Sequence, residues 1–201
     1  PINSSAGSVV VSGIPIRDAH HYGTLSVREV IQKSSNIGTV RMAMQMQPRE
    51  LWELYASVGY GQKPQISFPG AVSGRLRPYK TWRPIEQATM SYGHGISVTL
   101  MQLARAYLAF ARDGDLIPLT LTRLDTPPVA GKSIFSAQTA REVRAMLEMA
   151  VQPGGTAPKA QIPGYRVAGK TGTAHKLEGG QYADRYVAAF VGFAPVADPR
   201  L

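Results

Sequence analysis

The hydrophobic period of this chain changes once, late in its length, and that change limits the folds open to it. From Ser26 to about Ala150 the apolar residues recur at helical spacing behind recognisable start signals. Ser26-Val27-Arg28-Glu29 is a capping box opening a helix through about Lys33. A second helix is predicted over Asn36–Met46, with Ile37, Val40 and Met44 on its apolar face. Pro48 suits the first turn of a third, which carries Leu51, Leu54, Tyr55 and Val58 and ends at Gly59 and Gly61. Residues 62–97 read as loop, rich in Gly and Pro. Thr99-Leu100-Met101-Gln102 is another capping box; its helix places Leu100, Leu103, Ala104, Tyr107, Leu108 and Ala111 on one face and stops at Gly114. Ser136 caps a fifth helix with Ala140, Val143, Leu147 and Ala150 inward.

After a turn at Pro163-Gly164 the pattern becomes that of strands. Tyr165–Ala174 is one strand, Glu178-Gly179-Gly180-Gln181 a turn, and Tyr186–Phe193 a second strand. The second is apolar on both alternating faces and is expected to be a central strand covered on each side. The two should pair as an antiparallel hairpin. Ser8–Ser12 and Ile14–Ile16 form a smaller hairpin near the start. Helices followed by a hairpin indicate an α+β architecture.

A chain of 201 residues, 44% hydrophobic and 17% charged, can bury a core of its own. It has no cysteine, which excludes a disulfide framework and a thiolate-held metal. No apolar run reaches the length of a membrane span and no secretory signal opens the chain. The chain starts at Pro1, so it is read as a piece of something longer, with any targeting segment outside it. The net charge of +9 favours anionic partners. The densest basic stretch, Arg75–Arg83, interleaves cations with Tyr79 and Trp82, yet prolines break it and no nucleic-acid module surrounds it. It is read as a solvated loop beside a cleft, and no nucleic-acid partner is expected.

Two short motifs carry the chemistry. In Lys170-Thr171-Gly172-Thr173, read as strand, both threonine hydroxyls project from one face and can donate to one carboxylate. Gly172 lets a substrate backbone lie close, and Lys170 adds positive charge. Far upstream, Ser34-Ser35-Asn36 falls at a helix–helix junction. An Asn amide can donate to and accept from a substrate amide, and a Ser hydroxyl beside a lysine can relay a proton. The bland reading of Ser34 and Asn36 is a pair of helix caps. S-x-N and K-T-G are two of three landmarks of active-site serine acyl transfer. The third, S-x-x-K, does not occur in the chain; Lys159 and Lys176 each have a Thr three positions earlier. His94, in a Gly-rich turn, and His175, after the K-T-G strand, could border a cleft, though a lone loop histidine is more often structural. His20 and His21 point apart in an extended segment, so no metal is expected, and no cofactor. Met42, Met44 and Met46 read as core filler.

Taken together, Ile16-Arg17-Asp18, Tyr22–Leu25, Ile31–Gly38, Ser91-Tyr92-Gly93-His94-Gly95, Gln102–Tyr107, Ala168–Ala174 and Phe193–Arg200 resemble, in order, the transpeptidase domain of class B penicillin-binding proteins, above all the septal peptidoglycan D,D-transpeptidases of Gram-negative division. The resemblance spans nearly the whole chain. It implies the penicillin-binding transpeptidase fold shared with serine β-lactamases, a five-stranded antiparallel sheet packed against helices, with residues 1–201 a partial domain incomplete at both ends. It implies an acyl-serine mechanism on peptidoglycan stem peptides, blocked by β-lactams. Ser34 would be the proton-relay serine, Lys170 its cationic neighbour, and Asn36 the substrate-amide ligand. Thr171 and Thr173 would bind the terminal carboxylate along Gly172, and the Thr173 N–H would supply half an oxyanion hole. The nucleophile and its lysine would precede Pro1, so the isolated fragment is expected to be inactive. The parent would sit at the periplasmic face of the inner membrane, anchored by an upstream span, with other division proteins as partners. A β-lactam sensor or a non-catalytic wall-binding module on the same fold is the alternative.

Overall fold

The structure, a computed structural model, describes residues 1–66, 68–126, 131–179 and 181–200. Gly180, in the predicted hairpin turn, lies outside them. The chain divides into two compact units, one comprising Pro1–Gln45, Arg83–Gly95 and Ala145–Leu201, the other Met46–Trp82 and Ile96–Arg144.

In the first unit, β1 (Ile2–Asn3) pairs antiparallel with β4 (Thr24–Leu25), and β2 (Ser8–Val11) with β3 (Ile14–Arg17). Ser12 and Gly13 turn the second hairpin, both at positive φ (50° and 78°), the twist that a two-residue hairpin demands. Ser26 opens α1 (Val27–Lys33) with the predicted capping box, its backbone N–H donating to Glu29 Oε2 at 2.7 Å. α2 (Asn36–Ala43) follows at once. It ends before the predicted Met46, and Met44, at its C-cap, is 37% exposed rather than inward. The helix stops one turn early, so Met44 leaves the apolar stripe that Ile37 and Val40 continue to occupy.

The segment 62–97, expected to be loop, contains α4 (Pro84–Met90) in this unit. Pro84 starts that helix at a position where a missing N–H costs nothing, and Glu86 accepts from the Arg83 N–H at 2.7 Å. α4 buries Ile85 and Ala88 with Ile16 and Val40, beneath Val9, Val11 and Tyr92. Buried Gln87 donates from Nε2 to the Ala43 carbonyl at 3.0 Å.

β7 (Ala168–Glu178) and β8 (Gln181–Phe193) form the long hairpin that the sequence predicts, in register Lys170↔Val191 and Thr173↔Ala188. β7 begins at Ala168, not Tyr165. A Cβ at Gly169 would lie 2.4 Å from the Phe190 ring, so the glycine is what lets that ring lie across the hairpin. The expectation that β8 is covered on both faces fails: Tyr186, Val187 and Phe190 are 52%, 53% and 44% exposed. Among the described residues the strands form four separate two-stranded pairs, so β8 has β7 as its only strand neighbour and no second layer over these side chains.

The second unit holds α3 (Pro48–Ser57), α5 (Leu100–Ala111) and the pair β5 (Asp115–Leu116) with β6 (Lys132–Ser133). Its core is Val58, Ala106, Ala109 and Leu116, flanked by Tyr60, Leu108, Ile134 and Phe135. The inward face of α5 is turned partly away from the predicted one: Leu108 packs on this core as expected, but Leu100 is 81% exposed, Ala104 is exposed, and Gln102, Ala106 and Ala109 are the buried positions. The Gln102 amide explains the rotation. Its Nε2 donates towards the carbonyls of Gly59, Gln62 and Ser73 within 3.1 Å, so burying this polar side chain stitches two loop segments to the helix. α6 (Ala137–Val151), which belongs to this unit up to Arg144 and to the first from Ala145, is capped by Ser136, whose Oγ accepts from Thr139 N at 3.1 Å; Ala140, Leu147 and Ala150 are buried as expected, and Val143 half-buried. Among the described residues no helix is long and apolar enough to cross a membrane.

Candidate active site

Every residue of the candidate site lies in the first unit. The elbow between α1 and α2 is built around one carboxylate. α1 ends at Ser34, whose backbone is left-handed (φ 56°, ψ 46°). For a side-chain-bearing residue that conformation costs roughly 1–2 kcal/mol, and the surroundings hold it. Ser35, fully buried, caps α2: its Oγ accepts from the Gly38 N–H at 2.9 Å and donates to Asp18 Oδ2 at 2.6 Å. The other oxygen of Asp18 accepts from the Ile37 N–H at 2.9 Å. Asn36 Nδ2 donates to the Arg17 carbonyl at 3.1 Å, which ties the elbow to the end of β3 a second time. Gly38 permits the close approach of α2 to α1, because a Cβ there would sit 2.5 Å from a Val30 methyl. The result is an exposed Ser34 hydroxyl on a fixed corner.

Lys170 on β7 reaches that corner. Its Nζ donates to Ser34 Oγ at 2.8 Å and to the Thr171 carbonyl at 3.0 Å. Burial pushes its pKa down to about 8 from the ordinary 10.5, since taking an ammonium out of water disfavours its charged form. Thr171 Oγ1 lies 2.8 Å from Thr156 Oγ1. Gly172 and Thr173 are exposed, and the space a Gly172 side chain would fill is open.

The loop after α6 braces elbow and strand from a third side. Its Gly154 carbonyl accepts from Lys33 Nζ at 2.9 Å, and its Thr156 meets Thr171. The six residues proposed from sequence thus fall into an elbow (Ser34, Asn36) and a strand (Lys170 to Thr173), brought into direct contact by the Lys170–Ser34 bond across 136 positions. Two supporting residues, Asp18 and Thr156, carry no functional signal in the sequence: Asp18 stands there only within the Ile16-Arg17-Asp18 segment, and Thr156 only as the threonine three before Lys159. A capping partner 17 or 19 residues away leaves no spacing signal.

His94 and His175 also meet, with ring centroids 6.3 Å apart, edge to face. Tyr186 lies 4.4 Å from His175 and Tyr92 lies 5.2 Å from His94. The Ala183 carbonyl lies 3.1 Å from His175 Nδ1. Burial, and then the neighbouring His175, hold the His94 pKa below the usual range. Among the described residues no group of three His, Asp or Glu side chains could hold a metal ion.

Residues 5–201 match the family model described as the penicillin binding protein transpeptidase domain. The chain belongs to that family. Among proteins similar to this chain, the probable peptidoglycan D,D-transpeptidase PenA of Neisseria gonorrhoeae is 46% identical over 188 residues, which are 93% of this chain and 32% of PenA. The peptidoglycan D,D-transpeptidase FtsI of Escherichia coli K12 is 39% identical over 191 residues, 94% of this chain and 32% of FtsI. The apo TP domain of Burkholderia pseudomallei penicillin-binding protein 3 superposes with a TM-score of 0.95 at 55% identity, over 99% of this chain and 61% of that one. The fold is accordingly the penicillin-binding transpeptidase fold, mixed helices and antiparallel strands. The chain spans about a third of the length of the curated relatives it matches.

Proposed function

We infer that this chain supplies two walls of the active site of a peptidoglycan D,D-transpeptidase that works in cell division through an acyl-serine intermediate. The observation that carries the reading is the 2.8 Å contact between Lys170 Nζ and Ser34 Oγ, made by a lysine partly stripped of water. In this reading the attacking serine and its basic lysine come from an S-x-x-K segment outside the 201 residues, and the chain alone does not acylate.

The nucleophile adds to the carbonyl of the penultimate D-Ala of a stem peptide. Its proton passes through Ser34 to the departing nitrogen, and terminal D-Ala leaves as a free amine, so the peptide bond breaks as the ester forms. An amine on a neighbouring strand then attacks the ester and restores the serine. Lys170 keeps the Ser34 side of the cleft positive and orients its hydroxyl. The Asn36 side chain, held by its bond to Arg17, presents its remaining amide valences to the substrate backbone. Thr171 and Thr173 take the terminal carboxylate, with Gly172 leaving room for the chain, and the Thr173 N–H contributes to the oxyanion hole. β-Lactams enter by the same carboxylate contacts. The full-length protein works at the periplasmic face of the inner membrane beside other division proteins.

The test is acylation by a fluorescent penicillin in the full-length protein. Lys170→Ala and Asn36→Ala each remove a polar contact from a desolvated cleft. Each should cost about 1–3 kcal/mol, roughly a ten- to hundredfold fall in the second-order acylation rate. Unchanged rates in both variants would remove Lys170 and Asn36 from the site.

A further inference from the structure

The second unit contains a cavity of about 420 Å³ that owes nothing to the elbow or the strand. That volume lies in the range of small-molecule sites, about 300–1,000 Å³. Its apolar lining comes from Val58, Met101, Leu116 and Leu119. Three cations, Lys63, Arg105 and Lys132, line it too, and no acidic residue does. Among the described residues none of the three forms an ion pair. Asp115, the acid beside Gly131 of the lining, is already committed: its carboxylate accepts from Arg112 at 3.1 and 3.2 Å and from the Gly131 N–H at 3.1 Å.

Arg105 is the informative member. It is half-buried on α5, and among the described residues its one hydrogen bond is from Nη1 to the Val58 carbonyl at 3.3 Å. The guanidinium fits because position 59 is glycine: a Cβ there would lie 2.8 Å from Nη1, and the backbone φ of 97° suits glycine alone. A half-buried guanidinium that, among the described residues, leaves four N–H donors unspent and has no carboxylate within ion-pair distance suits an anion from outside. Two further lysines at the same cavity favour a dianion over a monoanion. The apolar lining favours a ligand with a hydrocarbon body.

We propose that this cavity binds a soluble phosphate monoester with a short apolar chain, its phosphate on Arg105, Lys63 and Lys132 and its chain against Val58, Met101, Leu116 and Leu119. The experiment is calorimetric titration of the full-length protein with hexyl phosphate, inorganic phosphate and hexanol, and with vesicles containing phosphatidylglycerol. Hexyl phosphate should bind once per chain, at least roughly tenfold tighter than inorganic phosphate or hexanol. The double variant Lys63→Gln/Lys132→Gln, at two exposed positions, should lose roughly tenfold in that affinity while melting at the parent temperature. Arg105→Gln should lose more. The proposal is overturned if hexyl phosphate binds no tighter than inorganic phosphate, if the double variant binds it as the parent does, or if the protein binds only the vesicles. None of these outcomes bears on penicillin acylation, so the two readings stand or fall separately.

Discussion

Lys170 is the residue whose charge state matters most, and its depressed pKa fixes the direction of two effects. For folding, an ammonium that titrates near pH 8 in the native state and near 10.5 when unfolded is a penalty below pH 8. The penalty lifts as pH rises from about 8 to 10.5, because only the unfolded chain still binds the proton there. For the proposed function the sign is opposite: the cation facing Ser34 disappears as pH rises through about 8. Penicillin acylation by the full-length protein should therefore lose rate on an alkaline limb near that pH. Lys170→Arg, which stays charged, should carry the limb upward even if its absolute rate is lower. Limbs at the same pH in both proteins would assign that titration to another group.

At the scale of elements, the site depends on how closely α1, α2 and β7 approach one another. Gly38→Ala would press a methyl into Val30, which is fully buried, and should destabilise the protein by about 1–3 kcal/mol in denaturant titration. Thr156→Val keeps the shape of the brace and removes its hydroxyl. Losing one net hydrogen bond, about 1 kcal/mol, should weaken the initial binding of penicillin several-fold while the limiting acylation rate stays near that of the parent. A fall in the limiting rate alone would contradict a role through Thr171. What could be read from sequence follows the same scale. The capping boxes at Ser26 and Thr99 lie within four residues, and both helices begin where they say. α4 carried a start signal of the same kind in Arg83-Pro84-Ile85-Glu86, but its proline reads as a breaker unless the glutamate two residues on is weighed with it. The inward face of α5 was illegible because it is set by three carbonyls 29 to 43 positions away that gather on Gln102. The K-T-G and S-x-N segments could be found and their meeting anticipated; Asp18 and Thr156, which hold them in place, could not.

Across the whole molecule, the weakest feature is the hairpin surface. Tyr186, Val187 and Phe190 stand more than two-fifths exposed on a long two-stranded ribbon, and such ribbons are poorly stable alone. The 201-residue chain, expressed by itself, should self-associate or bind an apolar dye, and sedimentation should show species larger than 21.7 kDa. A dye-silent monomer would mean that these side chains find cover within the chain. The net charge of +9 slows such association without preventing it, since exposed charges are screened beyond about 10 Å in ordinary salt.

Ser34 closes α1 in the left-handed geometry that helix ends ordinarily give to glycine. Any hydroxyl offered to Lys170 from this corner thus comes with a standing backbone tension. Replacing Ser34 by glycine would relax the chain and strip the corner of its chemistry in the same step, so repair of the fold and retention of the hydroxyl pull in opposite directions at this one position.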